Sequence, residues 1–346
     1  MSETGLRITR ENFATIEKGY AIATCEIDGK RKLFAAAEGQ GPCYMYDYES
    51  LEKEVVWEEP GGTMSIVPIP GRNGEIFATQ NFFPVFDAKE SVVVYGTYDR
   101  ENKRWDLTEV CKVPYLHRFD VIDIDGSLLF VGGKLCQNKT EVQDWSTSGS
   151  LVFAEIPENI TDEWEIKTFY EGITKHHGYC LQREEDRFFV SGVEGLFEVT
   201  LPQRIEDGLV IEKIIDREIS DMAIVDIDGD GAYEIATIEM FHGNELAINK
   251  MIDGEYKKVF THPIAFGHVI WGGKILGEPS FIVGSRRDDC LIELITCKDG
   301  AYLVSKIDGD VGPSQLLVFE DGEASVAFSA NRQRDTFALY TFTKGK

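Results

Sequence analysis

The stretch SDMAIVDIDGDGAYEIATIE, from Ser220 to Glu239, decides the fold. It reads as a polar start, an apolar run, an Asp-Gly turn and a second apolar run with an acidic end. Asp and Gly accept the positive backbone dihedrals of a tight hairpin, and the flanking Ala, Ile, Val and Thr suit strands. The same unit recurs through the chain. It begins at Tyr20 (YAIATCEIDGKRKLFAAAEG), Thr63 (TMSIVPIPGRNGEIFATQN), His117 (HRFDVIDIDGSLLFVGGK), His177 (HGYCLQREEDRFFVSGVEG), Ser220, His268 (HVIWGGKILGEPSFIVGS) and Ser314 (SQLLVFEDGEASVAFSAN), at intervals of 43 to 60 residues. Alternating segments such as VVVYGTY, WDLTEVCKV and EYKKVF supply two further strands per unit. That is the content of a four-stranded propeller blade.

The expectation is therefore an all-β, seven-bladed β-propeller occupying residues 1–346 as a single domain. The seventh unit holds only three strands after Ser314, the last being TFALYTFT. The leftover strand, LRITRENFATI, lies at the other end of the chain. Residues 5–16 are predicted to form the outer strand of the last blade beside residues 336–343. This pairing closes the ring and removes two sheet edges that would otherwise invite aggregation.

Composition narrows the function. A formal net charge of −25 argues against nucleic acid and against anionic membranes, since both need a concentrated positive surface. No apolar run reaches the roughly 20 residues of a membrane helix. The seven cysteines show no C-x-x-C spacing and sit mostly in apolar runs, which together with the apolar-poor start MSETGLRITRENF predicts reduced thiols in a cytoplasmic protein.

Around Asp226-Ile-Asp-Gly-Asp-Gly-Ala-Tyr-Glu234, flanked by AIV and IAT, the chain resembles the FG-GAP or VCBS repeats of propeller proteins; Asp123-Ile-Asp-Gly and Glu26-Ile-Asp-Gly are weaker copies. Asp226, Asp228, Asp230 and Glu234 offer the dense oxygen supply that calcium requires, and the resemblance to integrin-type propellers implies a structural calcium there. An ordinary Asp/Gly hairpin is the competing reading.

Antiparallel strands put the start of a blade's first strand and the end of its second on one face. The inner ring of that face then reads Tyr20, Thr63, His117, His177, Ser220, His268 and Ser314, so three of the six histidines share one repeat position. The outer ring reads Glu38, Gln40, Gln80, Asn81, Lys134, Glu194, Glu239, His242, Arg286, Arg287, Asn331 and Arg332. The insertion Leu135–Gly149, with Trp145, extends over the same face as a lid or wall, and Phe82, Phe83, Phe241 and Trp271 are candidates to stack on a sugar ring. His117, His177 and His268 are the expected ligands of a divalent transition metal such as manganese, zinc or iron, or act directly as acid and base. His176, Lys134, Arg286, Arg287 and Glu239 are the candidate catalytic groups, for proton transfer and for neutralising a carboxylate or developing enolate.

These parts suit a metal-assisted lyase or dehydratase, or an isomerase, acting on a small sugar or sugar acid at the channel mouth. The arrangement resembles propeller-fold carbohydrate lyases such as oligogalacturonate lyase, virginiamycin B lyase and aldos-2-ulose dehydratase, and no catalytic residue is carried over from them. Two alternatives stay open. One is a non-catalytic propeller binding a protein or glycan ligand. The other is a glycoside hydrolase using two of Glu38, Glu194 and Glu239.

Overall fold

Strand burial grades outward from a central axis, and that gradient is written in the repeat. Second strands such as Glu234–Glu239 are buried at every residue, whereas a rim strand such as Glu255–Pro263 alternates between exposed and half-buried. The inner strands are covered on both faces by neighbouring blades, so they read as continuous apolar runs; the rim strands are covered on one face. In the computed structural model, which describes residues 5–84 and 87–345, the described residues form seven four-stranded antiparallel sheets. Six of them run in simple sequence order from axis to rim.

The seventh sheet is assembled from both ends of the chain. Leu6–Thr15 pairs antiparallel with Thr336–Lys344, from Leu6 opposite Lys344 to Thr15 opposite Thr336. Pro313–Asp321 and Ala324–Asn331 complete the blade. Closure is fastened to the previous blade by Arg10, whose guanidinium lies 2.7 Å from Asp308, a carboxylate that also accepts the Tyr340 hydroxyl at 2.8 Å. The seven-bladed, N-terminally closed propeller predicted from the repeat is the fold observed.

Seven apolar clusters hold the ring together, one at each blade interface. Between the last and first blades, for example, Ile22, Leu33 and Ala35 meet Phe328, Phe337 and Leu339. None of the described cysteines is bridged, and five of the seven are only partly buried, less enclosed than their apolar runs suggest. No helix among the described residues is long and apolar enough to cross a membrane.

One backbone feature positions the site. In five blades the first strand carries a β-bulge, and the residue skipped by the ladder is Tyr20, His117, Ser220, His268 or Ser314. A bulge re-aims the side chain of its extra residue. In the fourth blade the first strand begins only at Tyr179, and His177 precedes it with its N–H donating to the Ser191 carbonyl at 3.3 Å.

Deleting residues 1–15 leaves the Thr336–Lys344 edge unpaired in a blade that must still pack on both neighbours. The truncated protein should unfold at least about 10 °C below the full chain by differential scanning calorimetry, or aggregate on expression. An unchanged transition would contradict closure as a stabilising device.

Candidate functional site: a histidine cluster at the channel mouth

Four imidazoles meet over the axis. Ring centroids lie 4.8 Å apart for His117 and His177, 5.0 Å for His177 and His242, 5.2 Å for His177 and His268, and 4.9 Å for His242 and His268. One nitrogen from each of His177, His242 and His268 falls within 4.8 Å of the others, and the Nε2 atoms of His177 and His242 are 3.3 Å apart. The three histidines whose nitrogens converge are not the three that share the repeat position. His242 takes the third place, and His117 stands beside His177 outside the three.

His242 arrives by a different route from the inner-ring histidines. It follows the second strand of the fifth blade, where the backbone turns through left-handed conformations at Met240 and His242. A glycine must follow, because a Cβ on Gly243 would sit 1.7 Å from the Glu239 carbonyl oxygen. The His242 N–H donates to Ser220 Oγ at 3.2 Å, and its ring stacks on Phe241 and lies against Phe266 at centroid distances of 4.0 and 4.5 Å. The His-Gly pair after a strand end is the signal in the sequence that marks it.

The imidazoles are held neutral. Burial, then the Arg286, Arg287 and Lys175 charges, push His242 down to about 3. Burial dominates for His117, His177 and His268, which all lie well below the ordinary histidine range. His268 Nδ1 is 3.1 Å from the Ser314 carbonyl oxygen, so Nδ1 carries the proton and Nε2 keeps a lone pair. That is the outer hydrogen bond a metal-binding imidazole ordinarily makes. His177 Nδ1 is buried with no hydrogen-bond partner.

Cations and aromatic rings frame the cluster. Arg287 lies over the Phe266 ring at 4.6 Å and Arg286 at 5.8 Å, while Lys175 approaches Phe241 at 5.3 Å and Trp145 at 5.6 Å. Trp145 meets Phe241 edge-on at 5.9 Å, which brings the Leu135–Gly149 insertion to this face as a wall. Phe82 is fully buried against His117 and backs the cluster. Trp271 instead packs at the interface of the last two blades, and Phe266 has the stacking position.

Several expected site residues are placed elsewhere. His176 is adjacent to His177 but points the other way, between the third and fourth blades, where its ring lies against Gly133 and lines a small cavity with Val131, Phe188 and Val190. Burial lowers it to about 3, and neither nitrogen has a partner. Lys134 donates to Gln137 at 3.2 Å within the third blade. Glu239 accepts from Arg217 Nε with both oxygens and from the Thr237 hydroxyl, each at 2.9 Å, and lies 2.9 Å from Lys258, so its charge is neutralised. Glu38 pairs with Arg332 at 2.8 Å, and Glu194 accepts from the Thr174 N–H and hydroxyl at 2.7 Å each. Three carboxylates engaged separately do not form a hydrolase pair.

The acidic loop already contains a cation. Lys250 Nζ lies 2.8 Å from Asp230 and 3.1 Å from the fully buried Glu234, and it also bonds Asp228. Asp226 accepts from the N–H groups of Gly229, Asp230 and Gly231 at 2.8, 3.1 and 2.9 Å. A calcium ion at this loop would share Asp228 and Glu234 with that ammonium; one oxygen from each of Asp226, Asp228 and Glu234 lies within 4.8 Å of the others. The ammonium supplies its charge through three donors on a flexible stem.

The comparisons bear on the fold. No protein-family model matches the sequence, and no curated protein matches it. Among solved structures, the chain is similar to the WD40 β-propeller domain of Doa1, with a TM-score of 0.61 at 10% identity over 99% of this chain and 98% of that one. It is also similar to a putative 6-phosphogluconolactonase from Bacteroides fragilis, with a TM-score of 0.56 at 9% identity over 90% and 93% of the two chains. A second, from Bacteroides uniformis, gives 0.53 at 10% identity over 85% and 84%. At such identities the likeness establishes the propeller architecture and nothing finer.

Two outcomes separate structural groups from the histidine cluster. A Cβ on Gly133 would fall 2.2 Å from the His176 ring, so Gly133→Ala should cost about 1–3 kcal/mol in denaturant unfolding. A chelator should leave the unfolding temperature of the acidic-loop region unchanged, while Lys250→Ala should destabilise the protein by about 1–3 kcal/mol, because the buried Glu234 loses its counter-charge.

Proposed function

We propose that the chain binds a divalent transition metal ion through His177, His242 and His268 and acts on a small anionic sugar or sugar acid, as a lyase, dehydratase or isomerase. The observation that carries this reading is the convergence of three neutral imidazole nitrogens within 4.8 Å of one another, beneath Arg286, Arg287 and Lys175. Neutral imidazoles suit manganese, iron or zinc, and three ligands leave positions for substrate oxygens. The ion, when bound, polarises a substrate carbonyl or carboxylate.

The chain's own groups supply the rest. Arg286 and Arg287 face the substrate's anionic group, and the Arg286 Nε–H, buried without a partner, is a donor in reserve. Phe241, Phe266 and Trp145 give flat apolar walls for the carbon face of a sugar ring. His117 lies outside the three ligands with an unbonded Nδ1 and is the group we assign to take a proton from the carbon next to the carbonyl. The electron pair released from that C–H bond forms the new double bond as the β-oxygen leaves; the departing oxygen takes up the proton that His117 removed, directly or through water, and is lost as water or alcohol. The occurrence of putative 6-phosphogluconolactonases on the same fold agrees with a small sugar-derived substrate.

Elemental analysis of the purified chain should find about one transition metal ion per molecule. His242→Ala should lower that content at least about tenfold, whereas His117→Ala should retain metal and lose turnover, measured on a panel of uronates and aldonates by the absorbance of the unsaturated product. A chain that holds no manganese, iron, zinc or nickel after reconstitution would overturn the reading; full metal without turnover would leave a binding propeller.

A further inference from the structure

Below the histidines the axis is blocked, and beyond the block it opens again. Arg118, next in sequence to His117, lies across the channel, donating through Nε to the His177 carbonyl at 3.4 Å and through Nη1 to the Met64 carbonyl at 3.3 Å. Gln315 reaches from the opposite side, donating to the Met64 carbonyl at 2.8 Å and accepting from the Ile22 N–H at 3.1 Å. On the far side of this barrier lies a cleft of about 340 Å³, lined by strand residues from all seven blades.

Its charged groups are incompletely satisfied. Asp221 is 8% exposed, and its one recorded bond is from the Met222 N–H to Oδ1 at 2.9 Å. Among the described residues no carboxylate lies within 4 Å of the Arg118 guanidinium and no cation within 4 Å of Asp221. Burial raises Asp221 to about 7 against the opposing pull of Arg118. Nearer the opening Asp120 faces Arg183 at 3.9 Å. Buried charges left this far apart are costly unless something between them completes the pairing.

We propose that this cleft is a second ligand site, distinct from the histidine cluster, that takes a small zwitterion: a free α-amino acid with an apolar side chain. Two guanidinium groups and two carboxylates face one space, so a ligand bearing only one sign would leave half of them unmatched. A molecule with an ammonium for Asp221 and a carboxylate for Arg118 matches both. Ser65, Tyr179 and Gln315 add polar groups to the lining, and the rest, including Ile22, Ile66, Phe119, Val269, Ile270 and Leu316, is hydrocarbon that suits an aliphatic side chain. The size falls at the small end of ligand pockets, which run from roughly 300 to 1,000 Å³.

The test is isothermal titration calorimetry on the full chain with the standard L-amino acids, alongside isoamylamine and isovalerate as the two halves of leucine. Leucine, isoleucine, valine or methionine should bind, each half should bind at least about tenfold more weakly, and Asp221→Asn should weaken the amino acid at least about tenfold. Arg183→Ala, at an exposed position that does not endanger folding, should also weaken it. His242→Ala should leave it unchanged, so failure here and failure of the metal reading are told apart. The proposal is overturned if no amino acid binds, which makes the cleft a water-filled channel, if a half-ligand binds as well as the whole, or if Asp221→Asn and Arg183→Ala bind as tightly as the unaltered chain.

Discussion

The pairing of Leu6–Thr15 with Thr336–Lys344 is the interaction on which the rest of the molecule depends. A blade with both faces apolar cannot exist alone, so each requires two neighbours, and only a closed ring gives all seven what they need. Closure by backbone hydrogen bonds between chain ends also prevents the ring from opening at one seam, where the Ile22–Phe328 cluster would otherwise face water. The histidine cluster inherits this constraint, since His117, His177, His242 and His268 come from four successive blades and meet only if those blades keep a common axis.

Within that frame one local device is used repeatedly. The bulge at the start of the first strand inserts a residue that the ladder does not count, and the ring's pseudo-rotation brings such residues to one level. His176 and His177 are neighbours just ahead of the strand that begins at Tyr179, yet one lines a cavity between two blades while the other reaches the channel.

Charge is organised on two scales. The chain as a whole carries −25, and three of its buried acidic sites are met by cations within the protein: Glu239 by Arg217 and Lys258, Glu38 by Arg332, and Glu234 of the acidic loop by Lys250, while buried Asp221 is left without one. Cations beside the histidines are less fully answered. Arg286 bonds Gln333 at 3.4 Å, and Lys175 lies 3.7 Å from Glu218. The mouth is thus a local concentration of positive charge on an otherwise acidic chain.

The sequence by itself determined the propeller, its blade number, its mode of closure and the level at which the inner-ring histidines lie. All of these follow from period, strand patterning and turn chemistry, which are local and repeat. It also marked the acidic loop and the polar strand ends, yet which of those groups remain free to act was decided only by the tertiary structure. Glu239 reads as catalytic until Arg217 and Lys258 are seen to reach it, and the Asp226–Glu234 loop takes from the next strand a Lys250 ammonium that its local sequence does not show. His242 was visible as an outer-ring residue, but its entry over the axis depends on left-handed turns at Met240 and at itself, which no hydrophobic pattern encodes. Partners distant in sequence and single backbone dihedrals are properties of the folded ring, and they select the site from its candidates.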